Sequence, residues 1–267
     1  MKRNVIIGSI IILTLGLLSF GWMNSTDSAP DSEAVQTQQI PSFDAGLSHL
    51  FNRPSNPDFF FAVGSRFMAT VTKEKLHNST SISQIIPSEA DWTKYPIQFV
   101  KVTIFENENE KSEPGHNLEL NEAQIKMLKS IDYSDNFLFN ASCVGTVDGS
   151  GNLNPCDLAY YLTLVPEKEA EYSLGEEGLL SFLRQNSEAE IVNLNSDELQ
   201  SGKVYFTITS NGTVSDVTLE STCGYPIIDE IMSQLLIKAP GKWISAENSS
   251  GEKVNQKLVF SYGKVGC

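Results

Sequence analysis

The sequence predicts an α+β protein in three parts: a membrane-spanning N-terminal helix over residues 5–23, an α+β domain over 58–167 with the order β-α-β-α-β-β, and a second unit over 168–267 with the order α-β-β-α-β. Three observations carry this expectation. An uncharged run opens the chain, "VIIGSIIILTLGLLSFGWM" from Val5 to Met23. Apolar residues alternate with period two in runs bounded by turn residues, and recur at helical spacing between those runs. Apolar residues make up 40% of the 267, enough to build packed cores, which argues against disorder along the chain.

At about 1.5 Å per residue the first run spans roughly 28 Å of helix, close to the thickness of a bilayer core. Lys2 and Arg3 precede it and Asp27, Asp31 and Glu33 follow, which places residues 1–4 in the cytoplasm and everything after residue 23 outside it. A cleaved signal peptide is the competing reading, because Ser19 and Gly21 are small residues where a signal peptidase reads. The length of the run and Trp22, a residue type of membrane interfaces, favour an uncleaved anchor. Either way the body is exported. Residues 24–57, rich in Ser, Asp, Gln and Pro, read as a flexible tether.

From Phe59 the run "FFFAVGSRFMATVT" reads as a strand, with Thr72 capping a helix that starts "KEKL" and ends by Pro87. Tyr95–Phe105 reads as a long strand and "ENENEKSEPGHN" as a charged loop. Asn121 with Gln124 three residues later is a capping-box arrangement, and Met127, Leu128 and Ile131 then share a helical face. "NFLFNASCVGT" and "DLAYYLTLVP" are two strands around a "DGSGN" turn. In the second unit Leu179, Leu180 and Leu183 lie at helical spacing, and Val204, Phe206 and Ile208 alternate along a strand. Asn211-Gly212 signals a tight hairpin, because both positions of a type I′ turn need positive φ. A partner strand carries Val217 and Leu219, a helix carries Ile228, Ile231, Met232 and Leu235 and stops at Gly241, and "QKLVFSYG" is the last strand.

Nineteen Lys and Arg stand against 33 Asp and Glu, a net charge of -14 with no basic cluster past the N-terminus, which excludes a nucleic-acid partner. All four cysteines lie in the exported part, where disulfides persist. Four cysteines allow three pairings. Cys143 and Cys156 flank a turn-rich stretch between two strands, so a local pair is the simplest connection and leaves Cys223 with Cys267. His49, His77 and His116 lack partners at zinc-ligand spacing, and neither a Gly-x-Ser-x-Gly elbow nor a phosphate-binding loop occurs. A calcium loop starting at Asp148 fails, with Leu153 where Gly is needed and Ala159 where Glu is needed. Five Asn-x-Ser/Thr triplets, at Asn24, Asn78, Asn140, Asn211 and Asn248, fit chance in an Asn- and Ser-rich chain. No enzyme activity, metal or cofactor is expected.

"EYSLGEEGLLSFLRQN", "SGKVYFTITSNGTVSDVTLE", "YPIIDEIMSQLLIKAPGKWISA" and "SGEKVNQKLVFSYG" resemble, in order and spacing, the C-terminal domain of the TonB family, closest to the energy transducers of Bacteroidetes, over about Ala170–Cys267. The carriers are a Gly-Glu-Glu-led helix, the Gly202-x-Val strand, the Gly212 turn, an Asp229-bearing helix, then Pro240, Lys242, Trp243 and Ala246. The resemblance implies a three-stranded antiparallel sheet packed on a helix. It also implies docking on an outer-membrane TonB-dependent receptor, by addition of an extended receptor segment to an edge strand. That edge is expected at Gln256, Lys257, Leu258, Val259, Phe260, Ser261 and Tyr262. A further implied partner is an ExbB/ExbD-like proton-channel complex, with the protein held in the inner membrane by one span and its bulk in the periplasm. The chain departs from the family's pattern in two places. Residues 5–23 hold no His, and residues 24–57 hold no long Pro-rich rod. Those departures point toward the alternative of a periplasmic scaffold or envelope sensor without energy transduction.

Overall fold

The computed structural model describes residues 56, 58–106, 109–147 and 153–265. In chain order these form β1 (Phe60–Gly64), β2 (Thr70–Thr72), α1 (Lys73–Asn78), α2 (Ile82–Ile85), β3 (Ile97–Glu106), β4 (Asn109–Gly115), α3 (Glu122–Leu128), β5 (Asn136–Val147) and β6 (Leu153–Val165). There follow β7 (Glu171–Tyr172), α4 (Gly175–Ile191), β8 (Ser201–Ile208), β9 (Val214–Ser221), α5 (Pro226–Lys238), β10 (Trp243–Ile244), β11 (Ala246–Glu247), β12 (Lys253–Val254) and β13 (Gln256–Gly263). Leu50–Cys267 forms one compact unit with two principal sheets, each over its own apolar core.

The five-stranded sheet runs in the order β2-β6-β5-β3-β4, antiparallel except for the parallel pair β2 and β6. Its inner face follows from alternation: Val100, Val102 and Ile104 of β3, Phe137, Phe139 and Ala141 of β5, and Leu162 and Leu164 of β6 are all buried. Leu76, Ile82, Ile85 and Leu128 from the short helices α1, α2 and α3 complete that core. Local hydrogen bonds start these helices. Thr72 Oγ1 accepts from Lys75 N–H at 3.3 Å, and Asn121 and Gln124 cap each other at 2.9 and 3.1 Å.

The second sheet is four-stranded and antiparallel, in the order β1-β13-β8-β9. Val204, Phe206 and Ile208 of β8 and Leu258, Phe260 and Tyr262 of β13 point inward against Leu179, Leu180 and Leu183 of α4 and Ile228, Met232 and Leu236 of α5. Leu236, rather than Ile231, completes the buried stripe of α5. Two bulges interrupt the β8–β9 ladder, and Leu219 of β9 stays 45% exposed instead of joining the inner face.

The expected fold is corrected on four counts. The described chain is mixed α+β, and none of its helices is long and apolar enough to cross a membrane; the span expected over Val5–Met23 lies outside the described residues. The C-terminal sheet has four strands instead of three, because β1, expected in the domain over 58–167, pairs with β13 from the far end of the chain. The single strand expected from Phe59 to Thr72 is broken at Ser65–Ala69, and its two pieces join different sheets. The segment expected as a charged loop supplies β4, which tolerates its charges because it is an edge strand facing water.

Cys143 and Cys156 are directly opposite each other on β5 and β6, with Cα atoms 5.0 Å apart, and are joined by a disulfide. The bond closes a short loop, for which restriction of the unfolded chain is worth about 3 kcal/mol. A Cys143→Ser/Cys156→Ser variant should therefore lose about 3 kcal/mol in urea unfolding, and the wild-type chain under reductant should fall to the same midpoint.

Candidate functional site

A sheet that accepts a partner strand must offer a row of unpaired backbone groups, so the site is built outward from β13. Its seven expected edge residues alternate as a strand should. Leu258, Phe260 and Tyr262 are buried inward, while Lys257, Val259 and Ser261 face the other side. Gln256 is buried too, accepting from Ala170 N–H at 2.7 Å and donating to Glu169 at 2.7 Å.

β13 is not the edge. On one side it pairs with β8 along its whole length, and on the other β1 pairs with it from Phe60 opposite Gly263 to Gly64 opposite Val259. Lys257 N–H, beyond the end of β1, is taken by Ser134 Oγ at 2.8 Å. The reason is packing as well as hydrogen bonding. Phe59 is buried with its ring 6.4 Å from that of Tyr262, and Phe61 stacks 6.2 Å from Phe260. These aromatics, with Val63, extend the apolar inner face across β1, a contribution worth about 2 kcal/mol for each fully buried large side chain. The apolar run "FFFAVG" read as a strand; nothing local in it named β13 as the partner.

The edge thus moves one strand outward. Beside β1 lies a slot of about 270 Å³ between the strand and α4, with Phe59, Phe61 and Ile191 as its apolar walls and Arg184, Gln185 and Glu188 along its rim. The Arg184 guanidinium lies 5.7 Å from the Phe61 ring centre and 3.6 Å from Glu177. None of these residues was singled out from the sequence, because slot and edge exist only once β1 has docked.

The family-motif residues are placed elsewhere and hold the unit together. Trp243 packs edge-on to Tyr172 at 5.3 Å and tilted on Phe206 at 5.7 Å. Gly212 turns at φ 74° directly under the Trp243 carbonyl, where a side chain would collide. Gly202 is needed for close approach, since a Cβ there would lie 2.7 Å from the Tyr262 ring. Lys242 contributes its backbone, donating N–H to Ser173 Oγ at 2.9 Å, while its side chain and that of Pro240 are exposed and Ala246 is buried.

Asp229, on the first turn of α5, is buried. Its carboxylate accepts from Tyr262 Oη at 2.7 Å, Thr222 Oγ1 at 2.5 Å and Cys223 N–H at 3.0 Å. Burial works against its charge, but the hydrogen bonds from Cys223, Thr222 and Tyr262 outweigh it and hold the carboxyl below its ordinary range. Cys223 is a free buried thiol whose pKa burial pushes up to about 12, so it stays protonated. The disulfide expected from it is absent among the described residues, and Cys267 lies outside them.

A second recess of about 520 Å³ opens where Tyr205 and Lys257 of one sheet face Phe105 and Asn136 of the other. Ser134 and Asp216, at φ 71° and 51°, both line it, and among the described residues they alone combine positive φ with a side chain. No family model, curated protein or solved structure matches this chain.

Two outcomes follow for this region. A Gly202→Ala variant should lose about 1–3 kcal/mol through overpacking against Tyr262, read from its urea midpoint. The Asp229 carboxyl titrates lower folded than unfolded, so its stabilisation is complete above the unfolded value near pH 4 and is lost as pH falls through the folded value. The stability gap between wild type and Asp229→Asn should be constant from about pH 5 to 7 and shrink toward pH 3; a gap that widens on acidification would contradict the assignment.

Proposed function

We propose that the unit formed by α4, β8, β9, α5 and β13 is a TonB-like protein-docking module, which takes up an extended segment of an outer-membrane receptor by strand addition at the edge of its sheet. The observation that carries this reading is β1 itself. A five-residue extended run from a distant part of the chain is docked antiparallel on β13, with aromatic side chains in the core below. Main-chain hydrogen bonds supply affinity in such an arrangement and alternate side chains supply selectivity. The order helix-strand-strand-helix-strand, with β8 between β9 and β13, agrees with what the resemblance implies. The Cys143–Cys156 disulfide favours an oxidising compartment such as the periplasm.

The reading is confined to docking. The chemistry assigned to the module is recognition, with no reaction and no cofactor, and coupling to an ExbB/ExbD-like complex would need a membrane-embedded element that the described residues do not supply. Titration of the full chain with synthetic N-terminal segments of TonB-dependent receptors should give saturable one-to-one binding. Failure of every such segment to bind would refute the docking role.

A further inference from the structure

Among the described residues the two principal sheets together present four edges, and three of them carry devices that discourage pairing. β4 bears Glu110, Lys111, Glu113 and Pro114 and is covered at one end by α3, where Asn121 and Gln124 donate to the Pro114 and Glu113 carbonyls at 2.8 and 3.2 Å. β2 is three residues long and runs straight into a helix. β9 is bulged twice against β8, turns through Asp216 at φ 51°, and carries Asp216 and Glu220. β1 has none of these. Its sequence is Phe-Phe-Ala-Val-Gly, uncharged and without proline, and its register against β13 is unbroken.

The open groups of β1 follow from the ladder. Lys257 N–H points away from β8 to reach Ser134, so by alternation Val259, Ser261 and Gly263 direct their backbone groups at β1. Their partners Gly64, Ala62 and Phe60 are then satisfied, and the N–H and C=O of Phe61 and Val63 face outward. A strand added there would lie about 4.8 Å further out, with its inward side chains over the slot beside α4. Of the charged residues of α4, Arg184 and Glu188 line that slot: Arg184 is paired with Glu177 at 3.6 Å, and Glu188 stands on the rim without an ion pair among the described residues, so the uncompensated charge there is acidic.

From these features we infer that the outer edge of β1 is the docking strand, and that its occupant is an extended segment of another protein with an apolar residue for the slot and basic residues for the α4 wall. This rests on the docking role proposed above and goes beyond it in naming the strand and the ligand chemistry. Charge decides between occupants. A second copy brings another net -14, and residues 24–57 of the chain itself carry Asp27, Asp31, Glu33 and Asp44 against Arg53, so both are repelled where a basic segment is attracted.

The test is amide hydrogen exchange on the full-length protein with two synthetic decapeptides of alternating Val and Thr, one ending in Lys at both ends and the other in Glu. The Phe61 and Val63 amides should exchange rapidly in the free protein and at least tenfold more slowly with the Lys peptide. The Glu peptide should bind at least fivefold more weakly, and Glu188→Lys should reverse that order. Three results overturn the inference and leave the docking role standing: protection of these amides before peptide is added, protection appearing on β9, or peptide binding that deprotects β1 by replacing it on β13. A dimer in sedimentation equilibrium with these amides already protected overturns it in favour of a second copy. If neither these peptides nor the receptor segments bind, both proposals fall.

Discussion

One buried hydrogen bond, from Tyr262 Oη to the Asp229 carboxylate, joins the parts of the C-terminal unit that must meet for an edge to exist. The tyrosine ring is fully buried on β13, and beneath it β8 has Gly202 because no Cβ fits. Its outer neighbour is Phe59, which brings β1 alongside. The carboxylate it reaches also holds the loop before α5 through Thr222 and Cys223. A buried charge with three donors is stable, whereas the same charge short of one would carry a desolvation cost of about 1–3 kcal/mol. Strand, loop and helix are thereby fixed to one another, and the inner face on which β1 packs is set.

Docking of β1 has opposite consequences for the two ends of β13. At Val259 to Gly263 the backbone is satisfied on both sides and unavailable to a partner. Around Lys257 the neighbouring loop fills in through Ser134, a residue at positive φ. The outer edge of the sheet is displaced to β1, which shares a slot with α4. A protein that needs one accessible edge and must avoid edge-to-edge aggregation is served by this distribution, with guards on β2, β4 and β9 and none on β1.

Much of the local structure was legible. Thr72 and Asn121 cap helices because their side-chain oxygens reach free N–H groups, a requirement set within four residues. Val204, Phe206 and Ile208 lie on one face because a strand has period two. The pairing of Cys143 with Cys156 follows from two strands joined by a short turn. The edge strand was misplaced for a different reason. An edge is defined by what fails to pair, and the residue pattern of Gln256 to Tyr262 is the same whether one neighbour is present or two. Likewise "ENENEKSEPGHN" lacks apolar alternation, so only the neighbouring β3 shows that half of it is a strand.

By itself the sequence determined most of the long strands and helices, the caps at Thr72 and Asn121, the glycine of the Asn211-Gly212 turn, and the acidic net charge of the chain. Those properties come from side-chain volume, backbone dihedral preference and hydrogen bonds spanning a few residues. Tertiary structure alone decided that "FFFAVG" leaves the sheet of its sequence neighbours for the one at the far end of the chain. The choice depends on which sheet offers both an unpaired backbone and an apolar shelf, formed by Phe260, Tyr262 and α4, and no local pattern encodes that.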